Sequence, residues 1–547
     1  MQQKNDKNPS FLEPKTLIAV AAVAIVYFGW NTYLQKKYPD YGKNTPAQSQ
    51  VATSPTPGSS SAELAEGKVT KPVDGKSEVV TQNTEQTFQF SNDKVSFALT
   101  SHGMGLKNYT INNYQDKEKN NIRLGVSENT ALFEMRWAGD DKALNFNITE
   151  QSPGHYLGKA QVGSTTITRE LKFNTENSSF TNTITVENPG DEFKKGFTLL
   201  IPEAVHAKGS SSFFFPSYEH QDFFVVHNGG KHETINFNNA KEDVNKSLST
   251  ASVLSVSSQY FAAAILDKSE ILPEVKVTSS VVNHSGLAEL TYKPVNLTPE
   301  MKFNEIFYAG PKSIDALNAV DPAMADIIDF GFFSFIAKPL LYVMKASHAV
   351  VGNWGFAIII LTLLVRLCVL PFNIMSFKSM KAMQKVQPII ANLREKYKDD
   401  PMRLNTEMMA VMKQNGANPI GGCLPMLLQI PVFFALYRVI GSSIELYSSP
   451  FVLWIHDLSA HDPFYVLPVL MAVFMFVQQK ITPTTMDPTQ AKIMLFLPVV
   501  FSLFMLQLPA GLTLYMVVST LFGIIQQYIM MRDRTPASAA VINVAKK

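Results

Sequence analysis

An arginine set in an apolar run is the first group in this chain whose type and spacing ask for a chemical account. In ILTLLVRLCVLPF, Ile360 to Phe372, Arg366 stands among Ile, Leu and Val, and Thr362 precedes it by one helical turn. Helical spacing puts both side chains on one face. A permanent charge in so apolar a segment costs free energy unless it reaches water or a polar partner. Two readings stay open from this segment alone. Pro371 lies only about 7.5 Å of helix rise further on, so the guanidinium can snorkel to a basic surface. Alternatively, it faces a hydrated interior and supplies a positive field there.

Polar groups in the other apolar runs bear on that choice. Gln429 lies in GCLPMLLQIPVFFALYRV, Gln478 and Gln479 close FYVLPVLMAVFMFVQQ, and Ser502 and Gln507 lie in FSLFMLQLP. Thr513, Tyr515, Ser519 and Thr520 follow in LTLYMVVST. Polar groups facing lipid are costly when unpaired, so a set of this kind favours a hydrated interior. Catalytic constellations are missing from the sequence. The histidines are scattered and none forms HExxH, the spans hold neither paired aspartates nor a serine–histidine pair, and no GxxxxGK[ST] loop is present. Cys368 and Cys423 lie in or beside apolar runs and read as small hydrophobes. No cofactor or metal is implied.

The elements that must position these groups follow from composition. The chain has 547 residues, 46% hydrophobic and only 17% charged, with a net charge of +2. Residues 1–35 carry Lys4, Lys7 and Lys15 and then the apolar run Thr16–Trp30, which reads as an uncleaved membrane anchor. Residues 36–86 are rich in Pro, Ser, Thr and Gly and read as a flexible tether. From 87 to 328, short alternating runs such as VSFALT, TTITRELKF and EVKVTSSVV are separated by turn residues, the pattern of an all-β sandwich. Residues 329–350 read as an amphipathic helix at the membrane surface.

Five further spans are expected at 351–371, 421–440, 463–479, 493–508 and 511–530, six with the anchor. Between them, residues 372–420 hold eight Lys/Arg against four Asp/Glu, whereas 441–462 hold Glu445, Asp457 and Asp462 and no cation. The loop 480–492 and the basic tail 531–547 complete the pattern. Basic loops inside place both termini in the cytoplasm and the β domain on the opposite side. Residues 372–420 read as a helical hairpin around the turn KDDP, with Met380, Met383, Met408, Met409 and Met412 among basic residues such as Lys385. Its methionines are either packed between the arms or displayed as an adaptable apolar surface, and its basic face suits anionic phospholipids or ribosomal RNA.

Long stretches of the chain resemble the YidC membrane protein insertase family of Gram-negative bacteria. The resemblance is carried by SFFFPSYEHQDFF (Ser212–Phe224), GNWGFAIIILTLLVRLCVLPFNIMSFKSMKAMQKVQPIIANLREKYKDDP (Gly352–Pro401), NPIGGCLPMLLQIPVFFALYRVI (Asn418–Ile440), the WIHDLSAHDP loop and LPAGLTLYMVVST. It implies a six-span α-helical protein of the inner membrane with a large periplasmic β-supersandwich and a cytoplasmic hairpin. The implied activity is insertion and folding of inner-membrane proteins, alone or with the Sec translocon and its accessory subunits. The implied partners are nascent membrane proteins, the ribosome and targeting machinery. Arg366, Thr362 and Tyr515 then match a hydrophilic groove, with Gln429 and Ser519 as further polar members and Ile430, Phe433 and Met471 as apolar contacts. A transporter or channel would want inverted repeats or a midplane ion site, which the spans do not display. A scaffold anchored by its spans would leave the intramembrane polar groups without a task.

Overall fold

Period-two burial builds the first half of the fold. Along Thr165–Asn174 every second residue is buried, and Glu274–Ser280 repeats the pattern, as a strand with one face on a core requires. The computed structural model describes residues 85–532 except 117, 139–141, 206–219, 239–241, 418–423, 483–497 and 499. The expected anchor, nearly all of the tether, most of SFFFPSYEHQDFF, most of the 480–492 loop, the start of span 493–508 and nearly all of the basic tail lie outside the described residues. Among the described residues, three antiparallel sheets hold four, nine and six strands. Their facing sides enclose a core rich in aromatic rings, including Phe97, Phe180, Phe197 and Phe303.

The nine-stranded sheet has a second buried face. Phe261–Asp267 (FAAAILD) is buried at every position. Ala263 and Ile265 join the sandwich core, whereas Ala262, Ala264 and Leu266 join another apolar cluster that continues into the helices. Strand alternation thus sends one row of small side chains into each core. The helices that cover the outer row begin directly after the last strand, Glu300–Pro311. Helix α1 (Ile314–Val320) is capped by Ser313, whose hydroxyl accepts from the Ala316 N–H.

Helix α2 (Ser334–Val351) buries Ala337, Leu341 and Met344 along one stripe and exposes Phe335, Tyr342 and Val350 on the other. An apolar face turned outward suits a helix lying at a membrane surface. Lys345 ties it down, reaching Asp315 at 2.9 Å and Glu445 at 2.7 Å. Gly352 ends it in the left-handed region at φ 67°. Asn353 then caps helix α3 (Trp354–Lys396) through the N–H groups of Gly355 and Phe356.

Helix α3 runs for 43 residues without a break at Pro371 or Pro388. The boundary expected at residue 371 between span and hairpin is therefore no boundary in the backbone. A proline removes only one ladder bond, and the flanking segments stay packed. The remaining helices are α4 (Pro401–Gln414), α5 (Leu424–Ser442), α6 (Val466–Ile481) and α7 (Ala510–Arg532). Among the described residues, α3 and α7 are long and apolar enough to cross a membrane, while α5 and α6 are shorter apolar helices.

Candidate functional site: a polar seam between two parallel helices

Helices α3 and α7 pack side by side, and two hydrogen-bonded residue pairs fix their direction. Arg366 donates to the Ser519 hydroxyl through Nε at 2.9 Å and a terminal nitrogen at 2.5 Å. Two turns further on, Asn373 Nδ2 donates to Gln526 Oε1 at 3.3 Å. Both pairs are separated by 153 residues. A constant offset means that the two helices run parallel and in register. The same register places Thr362 level with Tyr515. Each helix therefore carries its polar groups at matching turns, 362–366–373 on one and 515–519–526 on the other.

The arginine does not extend along its own helix. Its guanidinium crosses to α7, and among the described residues no carboxylate pairs with it. Its flanks Leu363, Leu364 and Leu367 are exposed, which marks the outward face of α3, while Thr362 is buried. Thr362 donates to the carbonyl of Ile358 in its own helix at 2.6 Å. Tyr515 is buried, and its hydroxyl accepts from Gln429 Nε2 on α5 at 2.5 Å. One turn below Ser519, Gly523 has no side chain, and a Cβ there would lie 3.3 Å from the Gln478 amide and 3.9 Å from the guanidinium. Four helices thus contribute to one seam: α3, α5, α6 and α7. Gln527 extends it by donating to Thr482 at 3.1 Å. Gly523, Asn373, Gln526 and Gln527 were not singled out by the sequence reading. Their signal is the repeat of polar or small residues at turn spacing from Tyr515 onward.

The end of the seam near Thr362 is sealed. The N–H groups of Ala510 and Gly511 bond to Ala460 and Leu458 at 2.6 and 2.9 Å, which presses the loop after α5 onto the start of α7. Asp462 holds that loop, accepting from the Trp454 indole at 2.9 Å and from the Leu467 N–H at 2.7 Å. Ile358, Leu361, Ile440, Leu458 and Met471 fill the space beneath. Met471 is fully buried in this plug and offers no accessible wall. Phe433 is half-buried against it, and Ile430 is exposed on α5.

The hairpin methionines divide into two groups. Met383, Met408 and Met412 pack with Val386 and Ile390 between the end of α3 and α4. Met380 is buried beside the Ser376 hydroxyl. Met409 is exposed, as is Lys385. Packing between the arms and display on the surface are therefore both present, on different residues.

Comparison with known proteins accounts for both halves of the chain. The family profile of the YidC periplasmic domain matches residues 87–343, and that of the 60Kd inner membrane protein matches residues 346–537. The chain belongs to the YidC family. It is thereby an inner-membrane protein whose β sandwich is a periplasmic domain. Relatives named membrane protein insertase YidC include one from Geobacter sp., 45% identical over 271 residues, which are 49% of this chain and 50% of that relative. One from Campylobacter jejuni is 47% identical over 224 residues, 41% of this chain and 42% of the relative. The chain spans about half the length of the curated relatives it matches. A solved structure of an active YidC insertase aligns over 81% of this chain and 93% of its own, with 18% identity and a TM-score of 0.38.

Proposed function

We propose that this YidC-family chain inserts and folds inner-membrane proteins, alone or with the Sec translocon, and that the seam around Arg366 is the wall along which a nascent segment passes. The observation that carries the reading is a half-buried arginine with, among the described residues, one hydroxyl for a partner, set in a seam sealed at one end by an apolar plug. A guanidinium has five N–H donors, and Ser519 engages only part of that capacity. The rest is available to an acidic or amide-bearing segment.

The work is thermodynamic. A transmembrane segment entering lipid gains on the order of 10 kcal/mol from its apolar surface, so no fuel is needed for that step. The obstacle is the hydrophilic tail that must cross the low-dielectric core. A positive, water-accessible seam through part of the thickness lowers that cost, and Asp or Glu in the tail is drawn to it. The membrane potential adds about 2.3 kcal/mol per charge per 100 mV for outward movement of an acidic tail. Arg366 and Gln429 meet the passing backbone, Thr362, Tyr515 and Ser519 form the buried polar backing of the seam behind them, and Ile430 and Phe433 guide the apolar part toward lipid. Met380, Met383, Lys385, Met408, Met409 and Met412 lie on a cytoplasmic hairpin that receives the segment, from the ribosome or targeting machinery, and rests on anionic phospholipids.

The proposed topology has six spans with both termini in the cytoplasm. The parallel run of α3 and α7 supports it, since both then start at the periplasmic side and end at the cytoplasmic side. The acidic loop with Glu445, Asp457 and Asp462 falls at the first end and the basic hairpin at the second. The test is reconstitution in liposomes with a single-span substrate bearing a short acidic tail, read by protease protection of that tail. Insertion by the intact chain and its loss on removal of residues 381–414 is the expected result. Failure of the intact chain to insert leaves an anchored scaffold as the better description. Ion flux without insertion favours a channel.

A further inference from the structure

A second polar site lies at the junction of the nine-stranded sheet with helix α5. A cavity of about 370 Å³ opens there. Two cations line it, Lys312 and Arg438, and two carboxylates, Asp222 and Asp329. Lys312 is only 5% exposed, and its ammonium donates to the Ser258 carbonyl at 3.0 Å and the Ser257 hydroxyl at 3.4 Å. That uses two of three donors, and among the described residues no carboxylate lies at ion-pair distance. Burial pushes this lysine down to about 8, against the opposing fields of Asp222 and Asp329. Arg438 is exposed and has no ion-pair partner among the described residues. Asp222 accepts from Asn236 at 2.8 Å and faces His220 at 3.4 Å, and Asp329 accepts from the Gly331 N–H at 2.7 Å. Each carboxylate retains acceptor capacity.

Helix α5 connects the cavity to an apolar surface. Leu427, Ile430 and Phe434 are exposed at helical spacing along one stripe, and Arg438 continues it one turn after Phe434. Phe434 stacks with Phe333 at 6.1 Å between ring centres, and Phe332 and Phe335 stand exposed beside it. An uncharged stripe that ends in an arginine at the mouth of a doubly charged cavity matches an amphiphile more closely than a water-soluble ion. A lone anion would leave Asp329 unanswered and Asp222 with, among the described residues, only His220 and Asn236 beside it. A headgroup with a phosphate and a primary ammonium answers all four charges.

We propose that this cavity holds the headgroup of a phosphoethanolamine glycerophospholipid from the periplasmic leaflet, its phosphate on Lys312 and Arg438, its ammonium on Asp329 and Asp222, and its acyl chains along the exposed stripe of α5. The assignment of leaflet rests on the proposed topology, whereas the binding itself does not depend on insertion activity. The lipid would fasten the periplasmic domain to the bilayer beside α5.

Native mass spectrometry of the full chain in detergent tests this, with phosphatidylethanolamine, phosphatidylcholine and phosphatidylglycerol of matched acyl chains. Phosphatidylethanolamine is retained best, because the choline headgroup has no N–H to donate and the glycerol headgroup has no cation. Arg438→Gln, on an exposed side chain, weakens retention by about fivefold. Asp329→Asn weakens the ethanolamine lipid and leaves the glycerol lipid unchanged or stronger. Equal retention of the ethanolamine and choline lipids, preference for the glycerol lipid, or an unaltered Arg438→Gln variant overturns the assignment. Free phosphoethanolamine, or a short acidic peptide, that binds while the lipid does not overturns the lipid as occupant. Protease-protection insertion assays on the same variants are read separately, so a chain that binds the lipid but inserts nothing refutes the proposed function and not this site.

Discussion

Two arginines in this chain are withdrawn from bulk water, and their surroundings could hardly differ more. Arg169 sits in the β domain with no exposed surface and three acceptors: Asn182 Oδ1 at 2.7 Å, the Gly103 carbonyl at 2.6 Å and the Phe133 carbonyl at 3.0 Å. The Phe307 ring lies 5.5 Å from its guanidinium carbon, and Asn182 links it to Glu305 at 2.6 Å. Arg366 sits among helices with one serine. Desolvation is costly for both, but the first is answered by fixed partners and the second is left with donors to spare. A buried guanidinium with a fixed acceptor on each of its three nitrogens holds a fold together. One with donors to spare is available to something that passes.

That contrast can be broken most sharply at Arg169. Arg169→Met strands two carbonyls, Asn182 and the Glu305 carboxyl, and is expected to cost about 3 to 5 kcal/mol, read as a shift of the β-domain transition in denaturant. A loss near zero would show that the network is dispensable. The next effect is a pH slope from the same network. Burial pushes Glu305 up to about 7 from an ordinary 4.5, so between those values the folded state binds more protons than the unfolded chain. Stability therefore falls as pH rises through that window, and the cost is complete above about 7. Glu305→Gln should flatten the slope in thermal unfolding, and an unchanged slope would assign it to Glu203, which burial also pushes up to about 7.

Arg366→Ala should do the opposite of Arg169→Met, lowering insertion about tenfold through loss of the local field while costing no more stability than the roughly 1 kcal/mol of its bond to Ser519. Arg366→Lys should retain most activity, and a stability loss as large as that of Arg169→Met would erase the distinction. Ser519→Ala removes the hydroxyl that holds Arg366 and is worth about 1 kcal/mol of stability, measured by thermal shift. At the bottom of the scale, Met409→Ser on the exposed side of α4 should change stability by less than about 0.5 kcal/mol, with Met412→Ser, at the packed position, costing more.

How much of this could be read in the sequence depended on the range of the interaction. TTITRELKF announces a strand, and its alternation even places Arg169 at an inward position between Ile167 and Leu171. That signal was available and went unused, because a charge in a strand of alternating polar residues does not stand out. Arg366 stood out because its neighbours are all apolar. Its partner did not, since Ser519 comes near only through the parallel packing of two helices distant in sequence. The apolar run ending at Pro371 marks where the expected span gives way to the hairpin, but nothing local in the sequence showed that one helix continues through both. The cavity around Lys312 was not legible at all, because strand, loop and helix bring its four charges together from a little over two hundred residues of chain.

The unbroken helix α3 has a mechanical meaning. At 1.5 Å per residue its 43 residues span about 64 Å, roughly twice the thickness of a hydrocarbon core. One end is clamped under the loop after α5 and the other carries the small methionine-lined cluster with α4. In the proposed topology such a rod would be a lever with its fulcrum in the bilayer: a load on the outer arm would tilt the whole rod, Arg366 with it, so contact made outside the membrane would be felt within it with no ligand having travelled the distance.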